Sequence, residues 1–119
     1  MDSNKLTDLI GVVQSFCEER DWDQFHNPKD LSIGLITEAS ELLEHFRFLS
    51  EEDARDKLAA GKTREEISDE LADIFFFLLR FCQMYDIDLG NALKCKIAKN
   101  NRKYPVEKAK GSNRKYTDL

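Results

Sequence analysis

The chain has 119 residues, enough for one domain with a modest core and too few for two. Its two prolines, five glycines and many Leu, Glu, Lys and Ala favour helix, and its longest uninterrupted apolar run, Ile74 to Leu79, is far too short to span a bilayer. The net charge of −5 is unevenly spread, with 9 basic and 21 acidic side chains in residues 1–93 against 9 basic and 2 acidic in residues 94–119.

One end therefore suits cations and the other anions, unless both are simply solvated faces. The basic stretch is short and carries no recognised RNA or DNA module, so a nucleic-acid polymer is not expected as a partner. Met1 to Lys5 do not open a signal peptide, which makes the cytoplasm the expected compartment. Cys17, Cys82 and Cys95 are odd in number and have no C-x-x-C spacing, so neither a disulfide framework nor zinc is indicated. All three read as small core residues.

Residues Ser3 to about Arg20 place Leu6, Leu9, Ile10, Val13, Phe16 and Cys17 at spacings of three and four, an amphipathic helix. The period breaks in Asp21-Trp22-Asp23-Gln24-Phe25-His26-Asn27-Pro28, a loop with two aromatics and a histidine. Trp22 and Phe25 either plug the end of a bundle or form a platform on which a base stacks. The second helix is predicted from Asp30 to about Phe48, capped by Asp30 or Ser32, with Leu31, Leu35, Leu42 and Phe46 inward. His45 shares a side of it with Glu38 and Glu41, and a structural or solvent-facing role is expected for it, because carboxylate sites for Mg²⁺ seldom recruit imidazole.

Ser50 caps a short helix up to Ala60 that Gly61 is expected to end, and the capping-box sequence Thr63-Arg64-Glu65-Glu66 places the start of the third long helix at Thr63. From Ile74 onward that helix is apolar nearly all round. A chain this small leaves each helix an exposed flank, so some of Phe75, Phe76 and Leu79 should face another subunit, which predicts an obligate homo-oligomer. Tyr85 to Asp88 interrupt the pattern, and Leu89 to Asn101 resume it with Leu89, Ala92, Leu93 and Ile97 inward. The fold expected is all-α, an antiparallel four-helix bundle assembled into a homo-oligomer, with the domain in residues 1–103 and a basic, non-helical tail in 104–119.

Two acidic pairs stand out, Glu38-Ala-Ser-Glu41 and Glu70-Leu-Ala-Asp73. Helical residues three apart lie on one face, with Cβ atoms roughly 5–6 Å apart, so each pair points two carboxylates the same way. If the helices meet there, four carboxylates converge, which is costly at neutral pH unless a hard divalent cation such as Mg²⁺ lies among them. The competing reading is a pair of solvated acidic faces. Against it, Glu70 and Asp73 lead into the most apolar stretch, and Glu38 and Glu41 are interleaved with Leu35, Ile36, Leu42 and Leu43. Lys96, Asn100, Arg102 and Lys103 offer a phosphate clamp. Acidic cluster, basic clamp and aromatic platform together suggest phosphoanhydride hydrolysis, and the absence of G-x-x-x-x-G-K-[ST] excludes a P-loop ATPase.

Glu38-x-x-Glu41, a spacer of 28 residues and Glu70-x-x-Asp73 resemble the E-x-x-E…E-x-x-D signature of the all-α, MazG-like nucleoside triphosphate pyrophosphohydrolases. The segments Glu19 to His26, Lys96-x-x-x-Asn100, Tyr104-Pro105 and Arg114-Lys115-Tyr116-Thr117 resemble its short dCTP-pyrophosphatase branch. The resemblance implies hydrolysis of a (d)NTP to (d)NMP and pyrophosphate, with Mg²⁺, or Mn²⁺ in its place, held by Glu38, Glu41, Glu70 and Asp73. It implies that one glutamate, for which Glu41 is chosen, helps to deprotonate the attacking water. It implies Lys96 and Asn100 as phosphate and sugar contacts with Lys103 and Tyr104 beside them, and a base pocket drawing on Trp22, Phe25, His26, Phe48 and Phe77. It further implies a homotetramer built as a dimer of dimers. Phe48 and Phe77 stand where members of that branch carry tryptophan and tyrosine, so an indole N–H and a hydroxyl are lost. Cytosine leads as the preferred base and adenine stays open. A related pyrophosphohydrolase of the phosphoribosyl-ATP type and a non-catalytic helical oligomer that binds a partner are the alternatives.

Overall fold

The structure, a computed structural model, describes residues 5–119, so Ser3, the expected start of the first helix, lies outside the described residues. Six α-helices and two 3-10 turns follow one another, with no strand among the described residues. They are α1 (Leu6–Glu19), α2 (Pro28–Glu44), α3 (Glu51–Ala59), α4 (Gly61–Met84), α5 (Leu89–Lys103) and α6 (Val106–Ala109), with 3-10 turns at Asp23–Phe25 and Tyr116–Asp118. No described helix is long and apolar enough to cross a membrane. The chain divides into two compact units, one up to Asp86 and the other from Ile87 to Leu119.

In the first unit, α1, α2 and α3 all pack on α4. Val13 and Cys17 of α1 and Leu79 of α4 are buried together, with Leu6, Leu9, Ile10 and Phe76 around them. Helix α1 ends at a residue in the left-handed region, Asp21 at φ 54°. Its amide bonds to the carbonyl of Glu18 at 3.1 Å, and that of Trp22 to Cys17 at 3.0 Å, the paired bonds of a Schellman motif. Aspartate tolerates this conformation better than most residues.

Several boundaries differ from expectation for local reasons. Helix α2 starts two residues early, at Pro28, because Asn27 rather than Asp30 or Ser32 caps it, its Oδ1 accepting from the Asp30 amide at 2.9 Å. Proline suits that first position, where its missing N–H has no intrahelical partner. Helix α2 also stops at Glu44 rather than near Phe48, and residues 45–48 form turns. Ser50 caps α3 as expected, its Oγ accepting from the Asp53 amide at 3.1 Å. Gly61 does not end that helix but begins α4, after the extended Ala60, and the capping box at Thr63 is not used. Cys17 and Cys82 are buried, whereas Cys95 is exposed.

In the second unit, Asp88 caps α5 by accepting from the Asn91 amide at 3.0 Å. Leu93 and Ile97, expected inward, are exposed. The tail is not purely irregular: α6 and the turn at Tyr116 fold it, and Tyr116 meets Tyr104 edge to face at 5.9 Å between ring centroids.

Helices α2 and α4 meet closely at Gly34, where an added Cβ would lie 2.4 Å from the ring of Phe77. Gly34 pairs with Phe77, and Glu38 with Glu70, so the two helices run antiparallel. Gly34→Ala must displace that ring and should cost about 1–3 kcal/mol as overpacking. Gly11 of α1 has open space beside it, so Gly11→Ala should stabilise by about 0.5–1 kcal/mol through better helix propensity. Urea titration of both variants checks the contrast, and equal responses would remove the close approach as a constraint.

Candidate metal centre

At 3.6 residues per turn, Glu38 and Glu41 share one face of α2. Glu70, Asp73, Phe77 and Arg80 recur at three and four along one stripe of α4. The antiparallel crossing sets these faces together. One carboxylate oxygen each of Glu38, Glu41 and Glu70 lies within 4.8 Å of the others. Asp73 is on the same α4 stripe, and its charge adds to the repulsion at both Glu38 and Glu70. Glu41 is the solvent-exposed member, whereas Glu38 and Glu70 are half-buried.

The electrostatics show a site with surplus negative charge. Burial, a hydrogen bond to Glu41 and the repulsion of Glu41, Asp73 and Glu70 push the Glu38 carboxyl up to about 7. Glu70 is raised by the same causes, burial first, and the nearby His45 lowers it in part. His45 Nε2 lies 3.9 Å from Glu70 Oε1, so the imidazole belongs to the edge of the cluster rather than to solvent. Oε2 of Glu38 and Oε2 of Glu70 are buried and have no hydrogen-bond partner. Two orphaned buried carboxylate oxygens within an all-oxygen donor set fit a hard cation such as Mg²⁺, which would satisfy them and offset the repulsion.

Of the expected base-pocket residues, Trp22 and His26 are brought together edge to face at 6.2 Å. Trp22 continues through Phe16 at 5.5 Å and Phe76 at 5.8 Å to Phe77 at 5.4 Å. This aromatic chain connects the loop to α4 one turn beyond Asp73. Phe25 is exposed, and Phe48 is 86% exposed with the Arg47 guanidinium 4.7 Å above its ring. In the second unit Lys96 is exposed and Asn100 half-buried, while the Lys103 ammonium lies 4.9 Å over the Tyr116 ring that Tyr104 also touches.

Sequence reasoning missed Arg80, and it named Asp23 only as part of the loop. Arg80 is fully buried, pairs with Asp23, and donates through Nε to His26 Nδ1 at 2.8 Å. The signal was present, since a lone arginine within Ile74 to Cys82 must find buried partners.

Residues 33–119 match the MazG-like family. The chain is 37% identical over 114 residues to dCTP pyrophosphatase 1 of Bos taurus, covering 96% of this chain and 68% of that one. It is 33% identical to dCTP pyrophosphatase 1 of Homo sapiens, covering 96% of this chain and 67% of the relative. Among solved structures, a pyrophosphatase of Archaeoglobus fulgidus superposes with a TM-score of 0.79 at 33% identity, covering 84% of this chain and 92% of that one.

The raised Glu38 carboxyl sets a pH dependence for the metal-free fold. Glu38 titrates at 4.5 in the unfolded chain and at about 7 when folded, so the fold binds the extra proton between these values. That stabilisation is complete below the lower value and lost as pH rises through the upper one. In EDTA, the melting temperature should fall between about pH 4.5 and 7 and level off above that, and Glu38→Gln should flatten the decline. An unaltered slope in Glu38→Gln would place its origin outside the cluster.

Proposed function

The chain belongs to the MazG-like family, and from that premise we propose a Mg²⁺-dependent enzyme, with Mn²⁺ able to substitute, that hydrolyses (d)NTP to (d)NMP and pyrophosphate, with dCTP as preferred substrate. It is a nucleoside triphosphate pyrophosphohydrolase. The observation that carries the metal-dependent reading is the cluster of Glu38, Glu41 and Glu70, with its two buried, unpartnered oxygens.

The roles follow from placement. Glu38, Glu41, Glu70 and Asp73 would hold the cation. When bound, it would neutralise phosphate oxygens and help to orient the triphosphate. Glu41 lies within 4.8 Å of both Glu38 and Glu70 yet faces solvent, which suits it to take the proton of the attacking water. The water oxygen bonds to the α-phosphorus, the bond to the bridging oxygen breaks, and pyrophosphate leaves. Lys96, Asn100 and Lys103 meet phosphate and sugar, with Tyr104 beside them. Trp22, Phe25, His26, Phe48 and Phe77 contribute to the base pocket.

The assembly proposed is a homotetramer, a dimer of dimers built on a four-helix bundle in residues 1–103 with the basic tail in 104–119. Its support is the number of large apolar side chains left exposed, among them Val12, Ile36, Leu43, Leu71 and Phe75. A house-cleaning role in the nucleotide pool, in the cytoplasm, is part of the same proposal.

A panel of dNTPs and NTPs, incubated with and without Mg²⁺, tests the reading. Monophosphate plus pyrophosphate is expected, fastest from dCTP and abolished by EDTA; orthophosphate release or indifference to EDTA would contradict it. Glu41→Gln should lower kcat by about 10²-fold or more, and Glu38→Gln and Asp73→Asn should nearly abolish turnover with the helical fold kept. Loss of helical circular dichroism in those variants would make the carboxylates structural.

A further inference from the structure

Arg80 lies on the α4 stripe of Glu70, Asp73 and Phe77, two turns beyond Asp73. Its side chain is wholly out of solvent. A buried guanidinium is tolerated only when acceptors meet its fork of donors. Here those acceptors are Asp23, His26 and, from its own helix, Gln83. Two of the three belong to the short segment that carries Trp22.

That segment has few apolar anchors of its own. Trp22 and Phe25 are both exposed, and Asp23 is half-exposed. What fixes it is the edge-to-face contact of Trp22 with Phe16, the Schellman closure of α1, the Tyr85 hydroxyl donating to the His26 carbonyl at 3.3 Å, and Arg80. Arg80 also decides the chemistry of the imidazole. Arginine offers only donors, so Nδ1 of His26 must be the bare, accepting nitrogen, and a neutral ring then carries its proton on Nε2.

We propose that Arg80 is a positioning residue for nucleotide recognition: by binding Asp23 and His26 Nδ1 it holds the Trp22–His26 segment in place and fixes His26 as the Nε2–H tautomer, so that the imidazole meets the ligand as a donor. The inference rests on the reading of Trp22 and His26 as part of the base pocket. Partial burial and the Arg80 charge both hold His26 below the usual imidazole range, while Asp23 opposes them, in keeping with a neutral ring. One stripe of α4 would thus carry metal ligands at one end and the anchor of the base-binding loop at the other.

The chain has two histidines and a single tryptophan, so both nitrogen resonances and fluorescence report on this segment. In ¹⁵N spectra of the nucleotide-free protein near neutral pH, His26 is expected with a protonated Nε2 and a bare Nδ1. In Asp23→Asn and Arg80→Lys, quenching of Trp22 by acrylamide should increase without nucleotide present. Both should raise KM for dCTP about tenfold, the worth of one good hydrogen bond, and proportionally more than they lower kcat. A purely stabilising ion pair would move neither the tautomer nor the ratio of KM to kcat. A His26 proton on Nδ1, or Trp22 quenching unchanged in both variants, would overturn the proposal. Should Arg80→Lys fail to fold, Asp23→Asn alters only a half-exposed side chain and decides the matter. If the wild-type protein hydrolyses no nucleotide, the proposed activity fails while the nitrogen and quenching results still judge the positioning role.

Discussion

The close antiparallel crossing of α2 and α4 is the constraint on which the rest depends. It is possible because Gly34 leaves room for the ring of Phe77, and it forces Glu38, Glu41 and Glu70 within reach of one another one turn away. A crossing held apart by a larger side chain would let these carboxylates separate and ionise independently. Burial at the crossing, added to by the neighbouring carboxylates, pushes Glu38 well above the ordinary carboxylate range, and two buried oxygens are left without a partner. The metal-free fold therefore carries a local cost, which the proposed divalent cation would relieve. Stability is given up at the place where the chemistry needs charge.

The same crossing organises the aromatic side of the molecule. Phe77 fills the space at Gly34 and touches Phe76, which leads through Phe16 to Trp22. Arg80, one turn further along α4, binds the loop that carries Trp22 and His26. A single helix stripe thus relates carboxylates, packing and loop. The opposite flank of α4 exposes Leu71 and Phe75, the surface assigned to subunit contacts in the proposed tetramer.

Much of this was legible in the sequence because it follows from helical period. The E-x-x-E and E-x-x-D spacings set two carboxylates on one face of each of two helices, of which the structure gathers Glu38, Glu41 and Glu70, and the amphipathic stripes of α1 and α2 located Val13, Cys17 and Leu31 in the core. Helix ends were less legible, since they turn on single caps: Asn27 outcompeted Asp30 at the start of α2, and Ala60 made Gly61 a beginning rather than an end. The exposure of Leu93 and Ile97 shows the limit of periodicity, which identifies an apolar stripe without saying what covers it. Arg80 escaped notice because it interrupts an apolar run, although a charge in such a setting is a stronger signal of a specific partner than any residue around it.

The central claim, that the carboxylates gathered at the α2–α4 crossing form a divalent-cation site, is tested most directly by titrating Mn²⁺ into the metal-free, nucleotide-free protein and following the free ion by electron paramagnetic resonance. Stoichiometric loss of the free-ion signal is expected for the wild type, with affinity weakened by at least about tenfold in Glu70→Gln, which removes one charge and one buried orphan oxygen. Equal binding by wild type and variant, or no binding by either, would contradict the account.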